Sequence, residues 1–308
     1  MLKLLRLGII GYSPKNGHPY SFSSILNGYN REAYLKTEWL GILNYLEKRE
    51  QDEIASLDAR VTHIWTQSLD LSKQIARCSK IDHVVSNYQD MIGYIDGVII
   101  ARDDYEIHKE IAQCFLEENI PVLIDKPLTL SKEELQWYKP FFDKGLIMSC
   151  SGFRYCRELD DVRENLEKFG DIKLIRAAVI NDWEKYGIHM LDATLGILDI
   201  DIIDINCIKH NSYDSYFLYC SDNLTVQIDT LGSNILAFSY EIFGTKKCEK
   251  FEIRDNFTSF KRMLGCFIDQ IKTKEPAISW DNMSKSISTL ITGVNARNTA
   301  SRIKVIYE

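Results

Sequence analysis

With 308 residues the chain has room for two domains, and a chain of that length buries enough surface to hold together without disulfide or metal staples. Hydrophobic residues at 45% and charged residues at 26% are ordinary for a globular protein. The formal net charge of −7, with no basic run, excludes a protein that tracks nucleic-acid phosphates, and no 18-residue apolar run is present to form a membrane-spanning helix.

Residues 4–10 form a short continuous apolar run, the pattern of a buried parallel strand, and Gly11 ends it. Arg6 interrupts this run too early for a secretion signal. Turn formers follow: Ser13, Pro14, Asn16, Gly17 and Pro19. Residues 21–58 read as mostly helical, with Leu35, Trp39, Ile42, Leu43 and Leu46 at helical spacing, so that 30–58 is a helical insert. Strands at 61–65, 84–85, 97–101, 121–124 and 146–149 then alternate with helices at 72–78, 90–94, 108–118 and 132–144. Alternation of this kind predicts an α/β, doubly wound parallel sheet that binds a dinucleotide, over residues 1–150.

After Ser151 the pattern changes. Helices at 158–169 and from about 189 to 198 flank a strand at 174–180. Strands follow one another at 203–209, 216–220, 224–230, 235–242 and 250–253, ahead of two helices at 258–272 and 282–300. Residues 151–308 are therefore expected to form an α+β domain with an open, largely antiparallel sheet, the C-terminal helices covering it or returning to the first domain. Eight cysteines, at 78, 114, 150, 156, 207, 220, 248 and 266, make no C-x-x-C pair, and His63 and His83 show no ligand spacing. Reduced thiols, a cytoplasmic protein and no metal are expected.

The loop after the first strand carries a degenerate phosphate-binding pattern. Gly11 suits the tight turn, Ser13 stands where a second glycine would let the backbone approach pyrophosphate, and Asn16 takes the third place with Gly17 one position late. Taken alone, this is equally an ordinary strand-to-helix turn. At the end of the second strand Thr66 and Gln67 replace the acidic residue that would bind a ribose and repel a 2′-phosphate, which leaves both NAD and NADP open.

The pattern sharpens at Asp125-Lys126-Pro127, directly after an apolar strand. This resembles the Glu-Lys-Pro signature of the glucose-fructose oxidoreductase/inositol dehydrogenase/rhizopine catabolism family. Residues 96–101 followed by His108, the Gly152-Phe153-Arg154-Tyr155 segment, the Gly187-x-His189-x-x-Asp192 helix and the final 295–301 segment resemble the family's motifs in the same order. The resemblance implies a cofactor, NAD or NADP, held by Gly11, Ser13, Asn16, Gly17, Thr66, Gln67, Ala101, Arg102, Asp125, Lys126 and Pro127. It implies Lys126 and His189 as catalytic residues, a sugar-like small-molecule substrate, and a homodimer or homotetramer formed through the open sheet.

Chemistry suits those two side chains: an ammonium holds an oxygen as charge develops on it, and an imidazole takes or returns its proton near neutral pH. Arg154, Trp183, Lys185 and His18 are candidate substrate ligands, against an ion-pair role for Arg154, a core role for Trp183, a structural role for His18 and a loss of the usual chemistry at Lys185. One departure stands out. The family commonly carries an aspartate four residues before the histidine, where this chain has Lys185, with Asp182 and Glu184 nearby. Hydride transfer at a hydroxyl carbon of a sugar, cyclitol or nucleotide-sugar is the first reading. Imine reduction is a variant of it, and a non-catalytic dinucleotide or metabolite sensor is the alternative.

Overall fold

The computed structural model describes residues 4–307. Contacts divide the chain into two units: one up to Asp125 with Tyr138–Ser149 and Phe260–Ile278, the other Lys126–Trp137, Cys150–Ser259 and the chain from Ser279.

The first unit is built on β1 (Leu5–Ile10), α1 (His18–Asn27), α2 (Arg31–Tyr34), α3 (Leu40–Leu46), β2 (Ala59–Trp65), α4 (Leu69–Ser79), β3 (His83–Val84), β4 (Gly97–Ile100), α5 (His108–Glu117) and β5 (Val122–Ile124). Chain continuity adds α6 (Lys132–Phe142), which spans both units, and β6 (Ile147–Met148). The strands form one parallel sheet in the order β3-β2-β1-β4-β5-β6. That order reverses direction between β1 and β4, which opens a crevice at the carboxyl ends of the strands. β4 and β5 are buried at every position, which explains their unbroken apolar sequence.

The insert is not a long helix. Asn30 caps α2 by accepting the Ala33 N–H, and α2 ends within a turn. The Thr37 hydroxyl then donates to the Tyr34 carbonyl at 2.8 Å and accepts the Trp39 N–H at 3.1 Å, a side-chain alternative that stops the ladder before α3. Of the residues at helical spacing Ile42, Leu43 and Leu46 are buried and Leu35 is exposed, and the polar interruption sets the helix boundaries.

After the first part of α6, the second unit continues with α7 (Asp160–Glu164). A continuous helix was expected over 158–169, but Asn165, at φ −137°, separates α7 from a 3-10 turn at Leu166–Phe169. β7 (Ile172–Val179), α8 (Ile188–Leu195), β8 (Ile202–Lys209), β9 (Asp214–Cys220), β10 (Thr225–Thr230), β11 (Phe238–Gly244) and β12 (Cys248–Glu252) follow. α9 (Asn256–Thr273) runs into the first unit, and α10 (Trp280–Thr299) and β13 (Ile303–Lys304) close the chain. The seven strands lie in the order β12-β11-β7-β10-β9-β8-β13, antiparallel except for the β7–β10 pair. Alternate side chains such as Ile175, Ala177, Val179, Val226, Ile228, Tyr240 and Ile242 are buried, the signature of a sheet covered on one face.

All eight cysteines are free thiols. Among the described residues no group of three or more His, Cys, Asp or Glu side chains is placed to hold a metal, and no helix is long and apolar enough to cross a membrane.

Candidate active site

In the first unit the nominated residues gather on the loop that follows β1. Gly11 has φ +85°, a conformation glycine adopts without strain, and the space a Cβ would take there lies 2.3 Å from Cδ of Arg102. Arg102 therefore lines the turn, its Nε donating to Asp104 Oδ1 at 2.6 Å. The two residues that replace glycines turn inward. Ser13 Oγ donates to Asp103 Oδ1 at 2.5 Å and accepts the Asp103 N–H at 3.1 Å. Asn16 Nδ2 donates to Asp125 Oδ2 at 2.8 Å, and His18 Nδ1 lies 2.5 Å from the same oxygen. The polar side chains thus tie the loop to the ends of β4 and β5.

Gln67 clamps the loop from the other side: its Oε1 accepts the Tyr12 N–H at 3.1 Å and its Nε2 donates to the Tyr12 carbonyl at 2.7 Å. Tyr12 Oη donates to Glu38 Oε1 at 3.4 Å, and partial burial together with that carboxylate pushes the phenol above its ordinary value. Thr66 is buried, its hydroxyl donating to the Ser68 carbonyl at 2.7 Å, and Ala101 is fully buried. Lys15, missed by the sequence reading, stands exposed at the loop tip at φ +68°. A glycine turn at the β1 crevice, with Arg102 beside it and a lysine at its tip, is a donor set that fits an anionic dinucleotide. His18, a candidate substrate ligand, opens α1: besides Asp125 it stacks on Phe22 at 4.7 Å and meets Phe260 edge-on at 5.2 Å.

In the second unit Lys126 and His189 approach the same ring. The Lys126–Pro127 peptide is cis, and Lys126 is 4% exposed with its Nζ 5.2 Å from the Tyr186 ring centroid. The His189 ring lies 5.2 Å from Tyr186 in a T-shaped contact and packs against Phe153 at 4.9 Å. A cation over an aromatic face retains part of its stabilisation when removed from water. His189 Nδ1 is 2.6 Å from Ser151 Oγ. The nearby buried acid is Asp192, which accepts the Ser151 N–H at 2.6 Å and the Ser286 hydroxyl at 2.9 Å. Burial pushes its carboxyl above the ordinary value, against the opposing pull of Arg154 and these hydrogen bonds.

Two of the expected substrate ligands are occupied internally. Trp183 is a correction: it is 2% exposed, stacks on Tyr216 at 4.0 Å and donates its indole N–H to the Leu290 carbonyl at 2.8 Å. A Cβ at Gly293 would lie 2.3 Å from Trp183 Nε1, so the ring is sealed into the core rather than offered to a sugar face. Arg154 is 8% exposed and both of its terminal nitrogens donate to Asn282 Oδ1, at 3.3 and 2.7 Å. Lys185 and Tyr186 are half-buried on a π-helical turn, Trp183–Gly187, that leads into α8. Asp182 caps this turn by accepting the Lys185 N–H at 2.9 Å. Tyr186 and Ser151 are the residues that sequence reading undervalued: Tyr186 stood beside the motif, and Ser151 gave no signal beyond its place before Gly152.

A doubly wound sheet with a glycine loop after its first strand, followed by a mixed-sheet unit, defines a fold of the dinucleotide-binding type. Residues 41–144 match the family model described as "Oxidoreductase family, NAD-binding Rossmann fold". The fold is similar to myo-inositol 2-dehydrogenase from Lactobacillus plantarum, at a TM-score of 0.78 and 12% identity over 98% of this chain and 99% of that one. It is similar also to scyllo-inositol dehydrogenase from Lactobacillus casei with bound NAD(H) and scyllo-inositol, at 0.77 and 14% over 98% and 99%. The myo-inositol dehydrogenase from Lactobacillus casei in complex with NAD(H) and myo-inositol gives 0.76 and 14% over 99% and 98%. No curated protein sequence matches the chain. Residues 41–144 thus carry the pattern of an NAD-binding oxidoreductase family, and the whole chain shares the fold of these dehydrogenases.

Proposed function

We propose that the protein transfers a hydride between NAD(P) and a hydroxyl carbon of a cyclitol, sugar or nucleotide-sugar, with Lys126 and His189 as the catalytic residues. The observation that carries this reading is the approach of both side chains to one face-bearing residue, Tyr186, at 5.2 Å each. Inositol as the ligand of two structural neighbours supports the polyol class.

The bound nicotinamide supplies the hydride acceptor or donor. The residues of this chain supply the rest. The Lys126 ammonium holds the substrate oxygen and stabilises the charge that develops on it, in a buried setting where such an interaction is strong. The His189 imidazole takes the hydroxyl proton in oxidation and returns it in reduction. Tyr186 flanks both and limits water around them. The loop 11–17 with Lys15 and Arg102 would hold the pyrophosphate, and Thr66 and Gln67 at the end of β2 would meet the adenosine ribose. A dinucleotide- or metabolite-sensing role is favoured by one feature, Lys185 in the place of the family's aspartate.

The test is a titration with NADH and NADPH read by tryptophan energy transfer, followed by turnover on cyclitols, sugars and sugar acids. Lys126→Ala and His189→Ala are expected to lose at least about 100-fold in kcat while binding NADH as the parent does. Full turnover in Lys126→Ala overturns the assignment. Cofactor binding without turnover on any polyol favours the sensing role.

A further inference from the structure

Among the buried polar groups of the second unit, one chain of contacts has no part in the mechanism above. Ser151 is fully buried, and its Oγ lies 2.6 Å from His189 Nδ1 while accepting the Phe153 N–H at 3.1 Å. Its own N–H donates to Asp192 Oδ2 at 2.6 Å, and Asp192 Oδ1 accepts the Ser286 hydroxyl at 2.9 Å. Asp192, at 2% exposure, thereby fixes the backbone from which the Ser151 hydroxyl projects. Around the imidazole stand Phe153, Tyr186 and, edge-on at 6.4 Å, Phe238. Rings hold the plane of the imidazole, and a polar group at Nδ1 fixes its rotation within that plane.

We propose that Ser151 is the positioning residue for His189, with Asp192 as its anchor. The proposal rests on His189 as the proton-transfer group. The choice of a hydroxyl has a chemical consequence. A carboxylate only accepts, so it bonds Nδ1 solely when Nδ1 carries a hydrogen. A hydroxyl has one hydrogen and two lone pairs, of which the Phe153 N–H uses one. It can donate to a bare Nδ1 or accept from a protonated one, and so keeps a single ring orientation in both states of the imidazole without placing a negative charge beside it. That arrangement suits a site in which the residue four positions before the histidine is a lysine.

The test compares Ser151→Ala, Ser151→Cys and Ser151→Thr in the full-length protein. Ala and Cys are expected to lower kcat by roughly 10- to 100-fold, the range found when a partner that orients a site imidazole is removed, with KM and the NADH dissociation constant little changed. Thr keeps the hydroxyl and is expected to restore most of kcat. The independent readout is the His189 ring resonance in a histidine-labelled NMR spectrum, assigned by its absence in His189→Ala. It should be displaced in the Ala and Cys variants and close to its parent position in Thr. Cys preserves volume and the Asp192 contact, so it reports on the hydroxyl if Ala fails to fold. An unmoved His189 resonance in Ala and Cys, or parent kcat in both, overturns the proposal. A displaced resonance in a protein that turns over no polyol upholds the contact and places the failure in the catalytic reading.

Discussion

Asp192 illustrates how a single buried acid links stability to the site. Its carboxyl is held above the ordinary value because burial disfavours the charge more than Arg154 and two hydrogen bonds favour it. The sign of the linkage follows. The folded state binds the proton more tightly than the unfolded state, so the Asp192 contribution is fully present below the unfolded value and is lost as pH rises through the raised folded one. Asp192→Asn removes that dependence, while the amide oxygen still accepts the Ser151 N–H and the amide nitrogen can donate to Ser286. The stability difference, parent minus variant, is therefore expected to fall as pH rises from about 4, and then to level. Urea unfolding of both proteins across pH 4–8 measures it, and a difference that rises with pH contradicts the direction. Trp183 makes the complementary point about reading residues. Its neighbours in sequence are site residues, yet its ring belongs to Tyr216, Leu290 and Gly293. Sequence adjacency indicated where the residue lay and not which side it faced.

At the scale of elements, the parallel strands were legible because both of their faces are buried, and full burial writes itself as an unbroken apolar run, as in Gly97–Ile100. The alternation of strand and helix then fixed the topology. The placement of Lys126 just after an apolar strand and of His189 near the start of a helix was legible too, while their catalytic roles belong to the proposal. What could not be read are contacts between distant segments: Ser151 with His189 is 38 residues apart, and Asp192 with Ser286 is 94. No local periodicity records these. The insert misled for a different reason, since Thr37 interrupts the helix through hydrogen bonds that apolar spacing ignores. The degenerate loop shows the same division. Its glycine at 11 was recognised, whereas the inward turn of Ser13 and Asn16 depends on Asp103 and Asp125. Gly11→Ala tests this element: it combines φ +85° with a Cβ only 2.3 Å from Arg102 Cδ. A loss of about 1–3 kcal/mol is expected, with weakened NADH binding, measured by urea unfolding and by fluorescence titration. Parent-like behaviour in both would mean that the turn is not held as described.

For the whole molecule, the compact units do not follow the order of the chain. The chain passes between the two units at 125/126, 137/138, 149/150, 259/260 and 278/279, so neither is a continuous stretch of sequence. The first unit depends on Phe260–Ile278 for specific contacts. Gln270 Nε2 donates to the Gly145 and Ile147 carbonyls at 3.0 Å each, pairing groups at the start of β6. A Cβ on Gly97 would lie 2.7 Å from Ile271 Cδ1, so this helix packs directly on the start of β4. Lys272 Nζ reaches Asp58 Oδ2 at 2.8 Å, and Phe260 packs on Phe22 at 5.1 Å. A fragment ending at residue 150 therefore exposes the apolar surface that α9 covers and leaves two buried carbonyls without their donor, a cost of roughly 1–3 kcal/mol for each before the lost burial is counted. Because domains carry only about 5–15 kcal/mol of net stability, the fragment 1–150 is expected to retain helical far-ultraviolet dichroism but lose cooperative urea unfolding and bind a hydrophobic dye. A second fragment that adds residues 256–278 through a flexible linker should recover a cooperative transition. If 1–150 alone unfolds as sharply as the linked form, α9 is not part of the first folding unit, and the dependence of the nucleotide-binding sheet on a distant helix falls with it.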